Sequence, residues 1–131
     1  MVIDSHVLLW WFAGAEALSA NARHALSGIG GSGAEFIVSP VTFWEFRLKE
    51  IRGLLVPKRP VREWPEVLRR IGNIRLEDVD PEIWLLSAEL DWDHRDPADR
   101  IIAATALIHG VPVLTKDRVF HKKGCPVKAV W

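Results

Sequence analysis

The chain has 131 residues, 49% hydrophobic and 26% charged, a composition that suits one globular domain with a real core and is too short for two. Lysine plus arginine and aspartate plus glutamate each number 17, so no net field attracts nucleic acid, and recognition of a polyanion would have to come from clustered charge. The single Cys125 excludes an internal disulfide and is expected of a reducing cytoplasm, and with neither a basic leader nor an apolar run of bilayer length, no signal peptide or membrane span is expected.

Taken in order, Val2 and Ile3 read as a very short apolar strand ending on Asp4. Residues 5–11 are helical in weight, capped by Asp4 or Ser5 and closed by Gly14. Ser19 caps a short second helix over residues 20–26. The glycines between 28 and 33 form a flexible connection, and without a following Lys-Ser/Thr they are no phosphate loop. Residues 36–39 are a buried strand, after which Ser39-Pro40 opens a helix reaching Ile51. Residues 53–60 form a loop. A helix over 64–71 turns Arg69 and Arg70 to solvent. Ile74, Arg75 and Leu76 are a third strand, and Pro81 stands first in a helix over 81–90.

The stretch 96–117, DPADRIIAATALIHGVPVLTKD, organises the rest. Asp96 precedes Pro97, the favoured first helical residue, and residues 101–108 are apolar on nearly every face, the mark of a helix buried against a sheet. Gly110 is the expected C-cap. Val111, Val113 and Leu114 then read as an interior strand of a parallel sheet. Residues 118–124 are a basic loop, and residues 127–131 alternate as a closing strand. Strands alternating with helices predict one α/β domain over 1–131, a three-layer α/β/α arrangement around a mostly parallel sheet.

Four carboxylates, Asp4, Glu45, Asp99 and Asp117, each fall just past a strand's C-terminus or in the first turns of a helix that starts there. Ligands of open α/β sheets bind at that edge. Packed carboxylates repel one another until a proton or a cation joins them, and an all-oxygen set favours Mg²⁺ or Mn²⁺ over zinc. Such an ion can activate water and steady the charge of a phosphodiester as it is cut. Each acid also has a plain reading: Asp4 as a helix cap, Glu45 paired with Lys49, Asp96 and Asp99 as a capping box. What favours a site is convergence on one edge, so Asp96 is assigned to capping and Asp99 to the metal. Thr115 either holds a carboxylate or water through its hydroxyl or simply ends the strand. His6, His24, His94, His109 and His121 show no ligand spacing, Cys125 has no obvious base beside it, and most of the seven tryptophans are expected in the core.

With these residues in view, the chain resembles the PIN domains, and among them the ribonuclease toxins of VapC-type toxin–antitoxin modules. Residues 4–11, DSHVLLWW, are similar to that group's Asp-Thr-His opening, with Ser5 for Thr. SPVTFWE at 39–45 resembles the segment carrying its helical glutamate. HRDPADR at 94–100, running on to Ala103-Ala104-Thr105-Ala106, resembles its strongest motif. VLTKD at 113–117, followed by Phe120 and the closing Val130-Trp131, resembles its last. The resemblance spans nearly the whole chain. It implies a Mg²⁺- or Mn²⁺-dependent endoribonuclease, commonly dimeric, held inactive by a cognate antitoxin, with Asp4, Glu45, Asp99 and Asp117 as the catalytic metal-binding set. The acids Asp91 and Asp93 before His94 depart from the pattern by adding negative charge near the expected groove.

The reading is therefore metal-assisted hydrolysis of RNA, with Arg100, Lys116 or Arg118 contacting phosphate. Its rivals are a related nuclease acting on DNA or in RNA maturation, a catalytically silent PIN-like binding module, and a phospho-accepting regulator in which Lys116 reaches the acids.

Overall fold

A computed structural model describes residues 1–14, 16–31 and 33–131. Five short strands, β1 (Val2–Ile3), β2 (Phe36–Val38), β3 (Ile74–Leu76), β4 (Val113–Leu114) and β5 (Ala129–Val130), pair in the order β3-β2-β1-β4-β5. Every pairing is parallel, with Val2 opposite both Ile37 and Val113, and Ile3 opposite Leu114. The expected parallel sheet is thus found, and β5 closes it at the edge beside β4.

Successive strand residues face opposite sides, and this alternation sorts the core. Ile3, Phe36, Val38 and Leu114 pack on one side with Val7 and Leu8 of α1 (Ser5–Ala13), Ala22 and Leu26 of α2 (Ala20–Leu26) and Leu68 of α4 (Trp64–Arg69). Val2, Ile37 and Val113 face the other way, onto Ile102, Ala103 and Ala106 of α6 (Pro97–Ile108). Helix α5 (Pro81–Glu89) lies outside α6, joined to it through Ile83, Ile101 and Ala104. Helix α3 (Val41–Ile51) packs Phe46 against Val61 and Trp64, the first of these in a 3-10 turn, Val61–Glu63, ahead of α4.

Local chemistry fixes the ends. Ser19 accepts from the Ala22 amide at 3.0 Å and Asp96 from the Ala98 amide at 2.9 Å, as capping predicts. Gly14 and Gly110 end α1 and α6 at φ 62° and 61°, conformations that cost a side-chain-bearing residue strain. Asp4 occupies the N-cap position of α1 but makes no capping bond, so the plain reading of that residue does not describe it. The connection after α2 is tethered: Asn73 accepts from the Gly30 amide and donates to the Gly28 and Ala34 carbonyls. Ser32 of that connection lies outside the described residues.

The strand order reverses between β1 and β4. The crevice of a doubly wound sheet opens at such a point, just past the strands' C-terminal ends, where Asp4 follows β1 and Thr115 to Asp117 follow β4.

Ile102 is fully buried between the sheet and α6. Ile102→Ala is expected to cost about 2–5 kcal/mol through lost transfer energy and the cavity left behind, read from urea unfolding curves.

Candidate active site

Asp4 is 4% exposed, and a carboxylate removed from water needs hydrogen-bond donors or it protonates. Thr115, itself fully buried at the end of β4, donates its hydroxyl to Asp4 Oδ2 at 2.7 Å. The same hydroxyl accepts from the Asp117 amide at 2.9 Å, so one side chain joins the acid after β1 to the turn after β4. Asp117 Oδ1 then accepts from the Val119 amide, and its side chain lines an open cavity of about 200 Å³ together with Asp4, His6, Trp10 and Lys116.

Glu45 reaches this corner from the second turn of α3. Ser5 donates to Glu45 Oε2 at 2.6 Å and stands 3.0 Å from Thr42 Oγ1. Since Ser5 has one proton and Glu45 takes it, Thr42 is the donor in the second bond. The hydroxyl at position 5 therefore orients the glutamate. Lys49 packs over the Phe46 ring, so the plain Glu45–Lys49 reading gives way.

Asp99 projects from the first turn of α6, with His94 Nε2 2.6 Å from its Oδ2. No capping box forms on its side chain; His94, without ligand spacing in the sequence, is its partner. His6, equally without ligand spacing in the sequence, lines the cavity beside Asp4.

The charges are mutually felt. Burial pushes the Asp4 carboxyl above its ordinary value, opposed by the Thr115 hydrogen bond and reinforced by the charge of Glu45. Burial also raises Asp99 to about 6, opposed by the His94 hydrogen bond and reinforced by the charges of Asp96 and Asp4. Asp4 is the common neighbour of the other three acids: by charge for Glu45 and Asp99, by a shared hydroxyl and cavity for Asp117. Among the described residues no three His, Cys, Asp or Glu side chains stand together at ligating distance. Instead each carboxylate turns at least one oxygen to a donor of its own chain. The donor chemistry fits a hard cation, because two acids raised by burial and mutual repulsion have most to gain from one.

Of the expected phosphate contacts, Lys116 is exposed, its ammonium 5.6 Å from the Trp10 ring and 6.0 Å from the Trp131 ring. Arg118 is exposed beside it in sequence. Arg100 corrects the expectation: its five N–H groups go to the carbonyls of Ser87, Ala88, Leu90, Trp92 and His94, leaving none for phosphate.

A family model, PIN domain, matches residues 1–124. The chain belongs to the PIN-domain family. It is 31% identical to Ribonuclease VapC22 of Mycobacterium tuberculosis over 134 aligned positions, covering 100% of this chain and 98% of that protein. Its fold is similar to a toxin–antitoxin complex from Klebsiella pneumoniae, with a TM-score of 0.64 at 18% identity, over 99% of this chain and 95% of that one. It is similar too to VapBC2 from Rickettsia felis bound to a promoter DNA fragment, with a TM-score of 0.66 at 11% identity, over 98% and 96% of the two chains. The expected PIN fold and VapC likeness are thus borne out, and no helix of the described PIN domain is long and apolar enough to cross a membrane.

The raised Asp99 carboxyl fixes a sign. A carboxyl at about 6 in the fold and 3.8 as its ordinary value gives stability that is complete below the ordinary value and lost as pH rises through the folded one. Asp99→Asn keeps an oxygen for His94 and removes the charge. Without divalent cations it is expected to melt a few degrees above the wild-type PIN domain near pH 7, on the order of 1–2 kcal/mol after allowing for partial exposure. Melts repeated toward pH 4 should show the gap closing.

Proposed function

We propose that this PIN domain is the endoribonuclease toxin of a type II toxin–antitoxin pair, using Mg²⁺ or Mn²⁺ held by Asp4, Glu45, Asp99 and Asp117. The observation that carries the site assignment is the buried Asp4 carboxyl, to which the other three acids are tied by charge or by the Thr115 hydroxyl and shared cavity. The full-length likeness to a protein named as a ribonuclease supports the reaction class. A divalent ion at such a site polarises the phosphodiester and eases ionisation of the attacking water.

The chain's own residues do the rest. Thr115 and Ser5 orient Asp4 and Glu45, and His94 orients Asp99. Lys116 and Arg118 meet the phosphates at the rim. Asp91 and Asp93 are exposed and oppose a polyanion on their side, steering the RNA toward Lys116. The antitoxin and a second copy of the chain have apolar surface to cover, since Trp44 is 59%, Trp84 55% and Leu85 63% exposed. The similarly folded chains from Klebsiella pneumoniae and Rickettsia felis stand in complexes named toxin–antitoxin and VapBC2, which agrees with an antitoxin partner. The lone thiol agrees with a cytoplasmic setting.

The rival reading, a silent PIN-like binding module, draws on the lack of three acids at ligating distance among the described residues. Calorimetry separates the two: Mn²⁺ should bind the wild type and lose its heat in Asp4→Ala, and a wild type that takes up no Mn²⁺ favours the module. Asp99→Asn and Asp4→Asn should each cut RNA at least about 100-fold more slowly in magnesium, as expected when charge stabilising the transition state is removed. Wild-type rate in Asp99→Asn would falsify the assignment. Matched DNA strands should be cut more slowly than RNA, and equal rates favour a nuclease blind to the 2′-hydroxyl. Growth arrest on expression, relieved by co-expressing the neighbouring upstream reading frame, tests activity and partner together.

A further inference from the structure

Asp99 and Arg100 are adjacent on α6 and hold the same residue at its two ends. Asp99 takes the His94 ring and Arg100 Nη1 takes the His94 carbonyl at 2.9 Å. The segment between α5 and α6 has little regular structure of its own: the Trp92 amide bonds Leu90 O and the His94 amide bonds Trp92 O, two successive tight turns at 2.8 Å. Its order comes from outside. Helix α5 ends with no basic residue in its last turn, leaving carbonyls without partners and a negative dipole end. The Arg100 guanidinium supplies the missing donors, bonding Ser87 and Ala88 of α5, then Leu90, Trp92 and His94 of the segment. Trp92 packs on Phe120 at 5.2 Å and on the His94 ring at 4.7 Å, which fixes the imidazole plane.

We propose that His94 is a positioning residue that holds one oxygen of Asp99 and thereby turns the other toward the cation, and that Arg100 and Trp92 form the rigid bracket carrying His94. The proposal deepens the nuclease reading and rests on it. A monodentate carboxylate on a helix has free rotation about its last bond; a donor on one oxygen removes that freedom before the ion arrives, and partners of this kind typically change affinity or activity 10–100-fold. A separation of 2.6 Å between His94 Nε2 and Asp99 Oδ2 requires a proton between them. The same bracket explains why Arg100 is an arginine: a lysine ammonium has three donors and no planar fork to span five carbonyls.

Three measurements on the full chain test this: Mn²⁺ affinity by calorimetry, the melting temperature without metal, and kcat and KM for RNA cleavage. His94→Ala is expected to weaken Mn²⁺ binding and lower kcat by about 10–100-fold, with KM for RNA and the metal-free melting temperature little changed. Glutamine places its amide nitrogen near the Nε2 position and asparagine falls short of it, so His94→Gln should recover most of the loss and His94→Asn little. Arg100→Lys should reproduce part of the loss in Mn²⁺ affinity, whereas a phosphate contact at Arg100 would raise KM alone. Mn²⁺ affinity and kcat within about twofold of wild type in His94→Ala, with Asp99→Asn inactive, overturn the proposal and leave the nuclease reading standing. If Asp99→Asn cuts like wild type, the nuclease reading itself fails. Equal losses in His94→Gln and His94→Asn also overturn the proposal, even should His94→Ala fail to fold.

Discussion

The hydrogen bond from the Thr115 hydroxyl to the Asp4 carboxylate, 2.7 Å long and wholly buried, joins β1 to β4 where the strand order reverses. It exists because Ile3 and Leu114 are paired in register, which brings the residues after them level at the sheet's edge. A carboxylate so buried is unfavourable unless its lone pairs are met, and the Thr115 hydroxyl at the end of β4 meets one of them. The position of Asp4 is therefore set by the sheet rather than by helix α1, whose N-terminus it leaves uncapped.

The other acids follow one pattern on different elements. Glu45 is oriented by Ser5, Asp99 by His94, and Asp117 by its own turn at the Val119 amide. In each case an oxygen is restrained by a neutral or neutralisable donor, and among the described residues no lysine or arginine enters as a partner. A cationic partner would satisfy the carboxylates for good; hydroxyls, an imidazole and an amide hold them in place and leave their charge uncompensated. Two carboxyls raised by burial are the expected consequence. The charge that a divalent ion would neutralise is thus conserved by the choice of neighbours.

Cations near the site are used differently. Lys116 is exposed at the cavity's rim with its ammonium over two indole rings, Trp10 and Trp131, and forms no ion pair with the acids among the described residues. Arg100 is turned away altogether, into the end of α5 and the segment after it. The basic residues that read as equivalent in sequence thus divide into one that shapes the site from behind and two, Lys116 and Arg118, that face solvent.

Much of this was legible in the chain itself. Pro97 after Asp96, the stretch from Ile101 to Ile108 that is apolar on nearly every face, Gly110 beyond it and the short Val113–Leu114 strand predicted α6 and β4, because caps and burial patterns are local properties of sequence. The alternation of such units gave the parallel sheet, and hence the edge at which Asp4, Glu45, Asp99 and Asp117 were expected. Partners across long separations were not legible. Thr115 bonding Asp4, Ser5 bonding Glu45 and Arg100 reaching back over α5 depend on register, helix rotation and loop path, none of which leaves a periodic trace. His94 looked like one scattered histidine among five, because its meaning lies in a 2.6 Å approach that only the bracket of Arg100 and Trp92 creates. Sequence determined which residues could do chemistry and on which edge they would gather; tertiary structure decided which of them surround Asp4, which orient a neighbouring carboxylate and which, like Arg100, turn away into the fold, since those placements are set by distances between parts of the chain that only folding brings together.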